Sequence, residues 1–238
     1  MPRYKFAPAP EEAMQTEHVE DKVEQLSAYE DTKPRSGTLP ETYNEYHGIP
    51  SFNYVWEEIE ERETLDGVID VPNYEEYPVV FLCDRYVAYK VCNQKIEGEL
   101  LGTISSNFVP GYSLKPVEFE EETLRSVLKD ADSVLRLDVA PKRREKPDKV
   151  SAQDTKLEET DFPEEHDVDP FEKVKVELPD EGVDVSVGFD KSGIVILYGR
   201  DMEMRDQVQI LQVIAETVVD EYLDHDSFQA SLFRGDQP

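Results

Sequence analysis

The sequence predicts an α+β fold: hairpin-rich mixed or antiparallel sheet with packing helices, preceded by an extended amino-terminal arm. Three features carry that prediction. Alternating or continuous apolar runs lie at 79–91 and 174–198, as strands require. Apolar stripes at helical spacing lie at 118–130 and 203–223, as helices covering a sheet require. Pro2, Pro8, Pro10, Pro34, Pro40 and Pro50, with Gly37 and Gly48, crowd the first 50 residues and interrupt regular structure there.

Within residues 1–50, Met14, Val19, Val23 and Leu26 recur at helical spacing in an acidic background, which predicts one weak amphipathic helix. The remainder reads as an arm that is poorly ordered unless another surface holds it.

Residues 51–140 read as a central α+β unit. Phe52, Val55, Trp56 and Ile59, set against Glu57, Glu58, Glu60 and Glu61, predict a short helix over 52–66. Gly67-Val68-Ile69-Asp70-Val71 predicts a strand ended by Pro72. Val79-Val80-Phe81-Leu82 and Tyr86-Val87-Ala88-Tyr89-Lys90-Val91 flank Cys83-Asp84-Arg85 and predict a hairpin. With Asp84-Arg85 as a tight turn, Leu82 faces Val87 and Val80 faces Tyr89, giving one apolar surface. The run 96–104 predicts a third strand. A helix follows near 118–130, with Phe119, Leu124, Val127, Leu128 and Ala131 as its stripe. Glu118, Glu120 and Glu121 near its amino end and Lys129 near its carboxyl end suit the helix dipole. Val134, Leu135, Leu137 and Val139 predict a strand.

Residues 141–170 read as a charged linker or long loop, basic from Lys142 to Lys149 and acidic from Glu158 to Asp169. Residues 171–226 predict a β-β-β-α unit. Val174 and Val176, then Val183, Val185 and Val187, alternate with polar residues, and Asp190-Lys191-Ser192-Gly193 is a turn leading into Ile194-Val195-Ile196-Leu197-Tyr198. Val208, Leu211, Ile214, Ala215, Val218, Val219, Tyr222 and Leu223 form one helical face over 203–223. Residues 227–238 are a tail. The carboxyl-terminal unit either packs with the central unit as one domain or duplicates its sheet-plus-helix order; no residue-level repeat relates them.

Charge constrains function more than any motif. The 238 residues hold 54 Asp and Glu against 25 Lys and Arg, a net charge of −29. Such an excess repels itself and favours expansion. Molar salt shortens the screening length to about 3 Å and removes most of that penalty, so a surface adapted to a halophilic setting is expected. Lys (14) outnumbering Arg (11) runs against the usual loss of lysine from such surfaces. A wholly disordered acidic chain is excluded by 38% hydrophobic and 10% aromatic residues. An acidic DNA mimic needs a dense, regular ridge of carboxylates to match duplex charge, about one per 1.7 Å, whereas here most acids alternate with apolar positions. The two cysteines, Cys83 and Cys92, are set too far apart on the expected hairpin to bridge, which fits a reducing compartment. No signal-type segment and no apolar run near 20 residues is present. A soluble protein is expected, cytoplasmic or part of an intracellularly assembled particle, and not a membrane protein.

No catalytic constellation emerges: the chain lacks a Gly-rich phosphate cradle, a Gly-x-Ser-x-Gly elbow and a Cys-x-x-Cys pair. His18, His47, His166 and His225 sit among polar residues, which gives a histidine general base little support. Glu164, Glu165, His166, Asp167 and Asp169 offer oxygen and imidazole ligands but lack calcium-loop spacing. They read as solvated linker, as Asp224-His225-Asp226 reads as a helix end. Arg234-Gly235-Asp236 is a chance tripeptide. No cofactor or metal site is assigned.

Two sets of residues are candidate contacts. Lys142, Arg143, Arg144, Lys146 and Lys149 form the one dense basic patch, able to meet phosphate or another anion, although the acidic run after it offers neutralisation within the loop. Phe52, Tyr54 and Trp56, near Tyr43 and Tyr46, concentrate aromatic surface that fills a core or anchors a partner. The functional expectation is a non-catalytic interaction or structural component of a larger assembly in a halophilic setting, cellular or viral. Other protein subunits or further copies of the chain are its expected partners, and the arm is its docking device. The alternatives are a nucleic-acid-associated regulator using loop 142–149, an acidic DNA-mimic inhibitor, and a divalent-cation-dependent enzyme that would enclose three or more carboxylates in one concave site.

Overall fold

The computed structural model describes residues 1–9, 18–28, 36–64, 67–82, 85–120, 123–125, 127, 133–139, 151–155, 171–177, 186–199 and 202–219. The fold is α+β, and its named strands pair antiparallel. The chain divides into two compact units, Phe6–Lys115 and Met1–Lys5 with Pro116–Pro238. Strand β1 (Arg3–Pro8) contributes residues to each.

In the unit Phe6–Lys115, helix α1 (Val19–Gln25) precedes β2 (Ser36–Tyr46), β3 (Ile49–Thr64), β4 (Gly67–Leu82), β5 (Tyr86–Lys90) and helix α2 (Gln94–Asn107). The sheet order is β2-β3-β4-β5. His47 and Gly48, both with positive φ (56° and 80°), form the two-residue turn between β2 and β3, the geometry that matches strand twist. One sheet face carries Phe52, Tyr54, Tyr77, Val79, Phe81, Val87 and Tyr89 into the core, where Ile96, Leu100 and Ile104 of α2 cover them. The rings of Phe52, Phe81 and Phe108 lie 5.2–6.0 Å apart. Asn93 caps α2, its side chain accepting from the Ile96 N–H at 3.0 Å. Phe6, Ala7, Val19 and Val23 are buried as well, so the described segments of the first 50 residues supply core strands and a core helix.

The other unit orders its strands β1-β10-β9-β8-β6-β7, with β6 (Ser133–Val139), β7 (Ser151–Thr155), β8 (Phe171–Glu177), β9 (Ser186–Asp190) and β10 (Ile194–Tyr198). Arg3 and Tyr4 pair with Ile196 and Val195. The Tyr4 hydroxyl donates to Gln207 Oε1 at 2.6 Å, on α3 (Met204–Ile214), which continues into a π-helical turn, Ala215–Val219. Gly188 leaves space for the Tyr198 ring, which a Cβ there would meet at 2.9 Å. Lys175 Nζ lies 4.3 Å over that ring. The expected turn at Asp190-Lys191-Ser192-Gly193 is present: Asp190 Oδ1 accepts from the Ser192 N–H and hydroxyl, and Gly193 has φ +79°.

Several expectations change. Residues 52–64 are strand, not helix, because the apolar side chains that reach the core are Phe52, Tyr54 and Trp56 at period two. Residues 96–104 are helix, not strand: Ile96, Leu100, Leu101 and Ile104 share a buried helical face, and Gly98 and Gly102, poor helix formers, obscure it in the sequence. Pro72 does not end its strand; β4 runs through it to Leu82. The β4–β5 register places Leu82 opposite Tyr86 and Val80 opposite Ala88, not Val87 and Tyr89. Three residues rather than two form that connection, and a one-residue slip exchanges the faces. Residues 151–155 of the expected linker form β7. Of the 118–130 helix, 123–125 and 127 are described and helical, with Leu124 and Val127 buried.

Candidate interaction surface

Strands β3 and β4 are far longer than their neighbours. Each has 16 residues, and they pair without a break from Ser51↔Val80 to Thr64↔Gly67. Among the described residues, pairing of β2 with β3 stops at Ser36↔Trp56 and pairing of β5 with β4 stops at Tyr89↔Val79. The remaining ladder is a two-stranded ribbon. At about 3.4 Å per residue, the eight residues from Glu57 to Thr64 span roughly 27 Å.

Opposed residues share a face. One face continues from Val55/Glu76 through Glu57/Tyr74, Ile59/Pro72 and Glu61/Asp70; the other runs from Trp56/Glu75 through Glu58/Asn73, Glu60/Val71 and Arg62/Ile69. Both faces meet solvent. Ile59 is 43% exposed, Val68 60%, Ile69 50% and Tyr74 63%. Between Glu57 and Glu76 the sequence has nine carboxylates and a single basic residue, Arg62, so nearly half these positions are acidic. Arg62 reaches Glu60 at 3.4 Å, an exposed pair of the kind that adds little stability. Asn73 Nδ2 also donates to Glu60, at 3.4 Å.

A concavity of about 260 Å³ lies where the first face leaves the body. Ala28, Leu39 and Val55, a small buried apolar cluster, line it together with Glu41, Glu57, Glu76 and Tyr74. Asn53 Nδ2 donates to Glu76 Oε2 at 2.6 Å and steadies that carboxylate. Among the described residues, no three His, Cys, Asp or Glu side chains group as a metal site. Shape and sign suit a cationic side chain with an apolar stem.

The predicted contact residues fall in different settings. Phe52 and Tyr54 are each 2% exposed inside the core, and Trp56 is half-buried against it. The Trp56 indole donates to Glu58 Oε1 at 3.3 Å, and Lys95 Nζ lies 5.0 Å from the ring centroid. Burial gives the Phe52 and Tyr54 rings a packing role. Lys142, Arg143, Arg144, Lys146 and Lys149 lie outside the described residues, as do His166, His225 and Cys83. Cys92 is a half-buried thiol packed against the core. Nearby, Tyr77 donates to Glu75 Oε2 at 2.7 Å, and burial first, then that carboxylate, holds its hydroxyl above the ordinary tyrosine range. The ribbon itself was concealed by the helical reading of 52–66. Its one legible signal was Asn73-Tyr74-Glu75-Glu76-Tyr77 linking two β-rich runs without a Gly-type turn.

No family model matches this chain, and no curated protein matches it in sequence. No helix among the described residues is long and apolar enough to cross a membrane.

Proposed function

We propose that this chain is a non-catalytic subunit or structural component of a larger assembly working at high salt, cytoplasmic or within an intracellularly assembled particle. The β3–β4 ribbon is the surface it offers to other subunits. One observation carries this reading: Ile59, Val68, Ile69 and Tyr74 are exposed along a ribbon that leaves the body on both of its faces. Two paired strands alone are marginally stable in water, and exposed apolar strand surface is a recurrent association site. The carboxylates between these residues keep the ribbon soluble until a partner covers it.

An amino-terminal arm has less support as the docking device, since its described segments bury Phe6, Ala7, Val19 and Val23; deleting residues 1–40 would strip the core. The discriminating variant joins Glu58 to Asn73 through a tight turn. Size-exclusion chromatography with mass determination, at about 0.15 M and at multimolar salt, should show oligomers or co-purifying subunits for the full chain and their loss in the shortened one. Identical monomers from both chains in both buffers, with no co-purifying subunit, would overturn the reading.

A second reading, the acidic nucleic-acid mimic, draws support from the nine carboxylates of the ribbon. It ranks lower because Ile59, Pro72 and Tyr74 break the acidic rows on one face, as Val71 and Ile69 do on the other. The reading through the basic loop Lys142 to Lys149 rests on sequence alone.

A further inference from the structure

The two outer edges of the ribbon differ in their main-chain groups. Lys90 Nζ donates to the Glu76 carbonyl at 3.3 Å, which places the main-chain groups of Glu76 on the β5 side of β4. Alternation along a strand puts Pro78, Tyr74, Pro72 and Asp70 on that side and turns Glu75, Asn73, Val71 and Ile69 toward β3. The register Glu75↔Trp56, Asn73↔Glu58 and Ile69↔Arg62 then directs the even-numbered residues of β3 inward. Ile59, Glu61 and Glu63 point their N–H and C=O groups away from β4. The Asn53 N–H, on the same side of β3, confirms the phase by donating to Thr42 Oγ1 of β2 at 2.8 Å.

The β4 edge is blunted. Pro72 and Pro78 have no N–H to offer, and prolines at outward positions are a recognised guard against strand addition. The β3 edge has no proline from Ser51 to Thr64, and no described strand pairs with it beyond Trp56. That edge has a sign: Glu57, Glu58, Glu60, Glu61 and Glu63 against Arg62. At its foot, the 260 Å³ concavity joins an apolar floor to three glutamates.

Accepting the ribbon as the docking surface, we infer that its partner is a lysine- or arginine-bearing polypeptide segment, bound in extended form as an added strand along Ile59 to Glu63 of β3. Main-chain hydrogen bonds to Ile59, Glu61 and Glu63 set the register. Basic side chains meet the glutamates of the strand. A nucleic acid is disfavoured by the sign of the edge, and an acidic strand by repulsion.

The test uses the full chain and fluorescence anisotropy with a labelled, short, alternating Lys–Val peptide. The same peptide N-methylated at its central residues keeps the charge and loses the main-chain donors; a Glu–Val peptide reverses the sign. The Lys–Val peptide should bind, and both companions should bind at least about tenfold more weakly, the cost of losing two or more net hydrogen bonds or of like-charge contact. Glu61→Gln removes charge alone, whereas Glu61→Pro also removes an outward N–H without touching the β3–β4 ladder. Glu61→Pro should therefore bind roughly fivefold more weakly than Glu61→Gln, the effect of one net hydrogen bond, with unchanged circular dichroism. Equal binding of the N-methylated peptide, equal affinity of the two Glu61 variants, or preference for the Glu–Val peptide would overturn the inference. So would absence of peptide binding; if the ribbon-shortened chain still loses its assembly, that result overturns strand addition alone, and if no assembly exists, it overturns both readings.

Discussion

The same two strands live in two environments. From Ser51 to Trp56 and from Tyr77 to Leu82 they are interior strands, flanked by β2 and β5, with Phe52, Tyr54, Val79 and Phe81 sealed beneath α2. From Glu58 to Thr64 and from Gly67 to Tyr74 no other described strand flanks them, and Ile59, Val68, Ile69 and Tyr74 lie in solvent. Backbone pairing is continuous across the boundary, so hydrogen bonding does not distinguish the halves. Burial does. Apolar area removed from water stabilises by about 25 cal/mol per Å², and among the described residues the lower half is where Phe52, Tyr54, Val79 and Phe81 gain that contribution. The upper half is held by ladder bonds and by its continuity with the lower.

That contrast predicts a steep gradient of mutational cost. Phe81→Ala should destabilise the chain by about 3–5 kcal/mol in urea unfolding, since Phe81 is 2% exposed and touches two other rings. Tyr74→Ala should leave the midpoint nearly unchanged; a loss comparable to that of Phe81→Ala would abolish the distinction between the halves.

A sharper version compares glycines with positive φ. In β2, Gly37 has φ +150°, and a Cβ there would meet the Leu26 main-chain oxygen within van der Waals radii. At the ribbon tip, Gly67 has φ +124° with open space around it. Gly37→Ala should cost about 2–3 kcal/mol by thermal or urea unfolding, from clash and backbone strain together, while Gly67→Ala should cost about 1 kcal/mol, from strain alone. Equal costs would show that the tip is packed as tightly as the base.

Alkaline titration probes the burial of the lower half, with Tyr4 as a buried hydroxyl of the other unit. Burial is the largest influence holding the Tyr54, Tyr77 and Tyr89 hydroxyls above the ordinary tyrosine range, with the Glu97 carboxylate next for Tyr89. These groups keep their protons in the folded chain at pH values where the unfolded chain, near pKa 10, releases them. Their contribution to stability is thus complete below about pH 10 and falls as pH rises beyond it. Ultraviolet absorbance should show these tyrosines ionising only together with unfolding; their smooth titration in a chain with native circular dichroism would contradict the burial.

The smallest stability effect is expected at the tip. Ile69→Thr should change unfolding free energy by no more than about 0.5 kcal/mol, yet weaken any association measured by mass determination. A variant that unfolds the chain, or one that leaves association untouched, would each count against the division of labour between base and tip.

How legible all this was varied with location. The turn at Asp190 to Gly193 and strand β10 could be read directly, because local chemistry and tertiary environment agree there. The base of the ribbon is ambiguous in the sequence because Phe52, Val55, Trp56 and Ile59 satisfy a helical period as well as Phe52, Tyr54 and Trp56 satisfy a strand period; pairing with β2 and β4 resolves the ambiguity in favour of strand. Helix α2 was hidden in the opposite sense, its Ile96, Leu100 and Ile104 stripe diluted by two glycines that tertiary packing tolerates. Of the interaction surface, the acidic bias of 57–76 was visible, but neither the concavity nor the unequal edges were, since both arise from strands brought into register.

From the sequence alone follow the α+β class, the acidic character and the carboxyl-terminal strand–turn–strand–helix order, because composition, turn chemistry and short-range periodicity act within a few residues of each other. Tertiary structure alone decided that, among the described residues, β3 and β4 outrun their neighbours, which face each residue presents, and that Phe6, Ala7, Val19 and Val23 near the beginning of the chain are core. Those outcomes depend on which distant segments pair. A free-energy difference between helix and strand of a fraction of a kcal/mol per residue is easily reversed once burial is available.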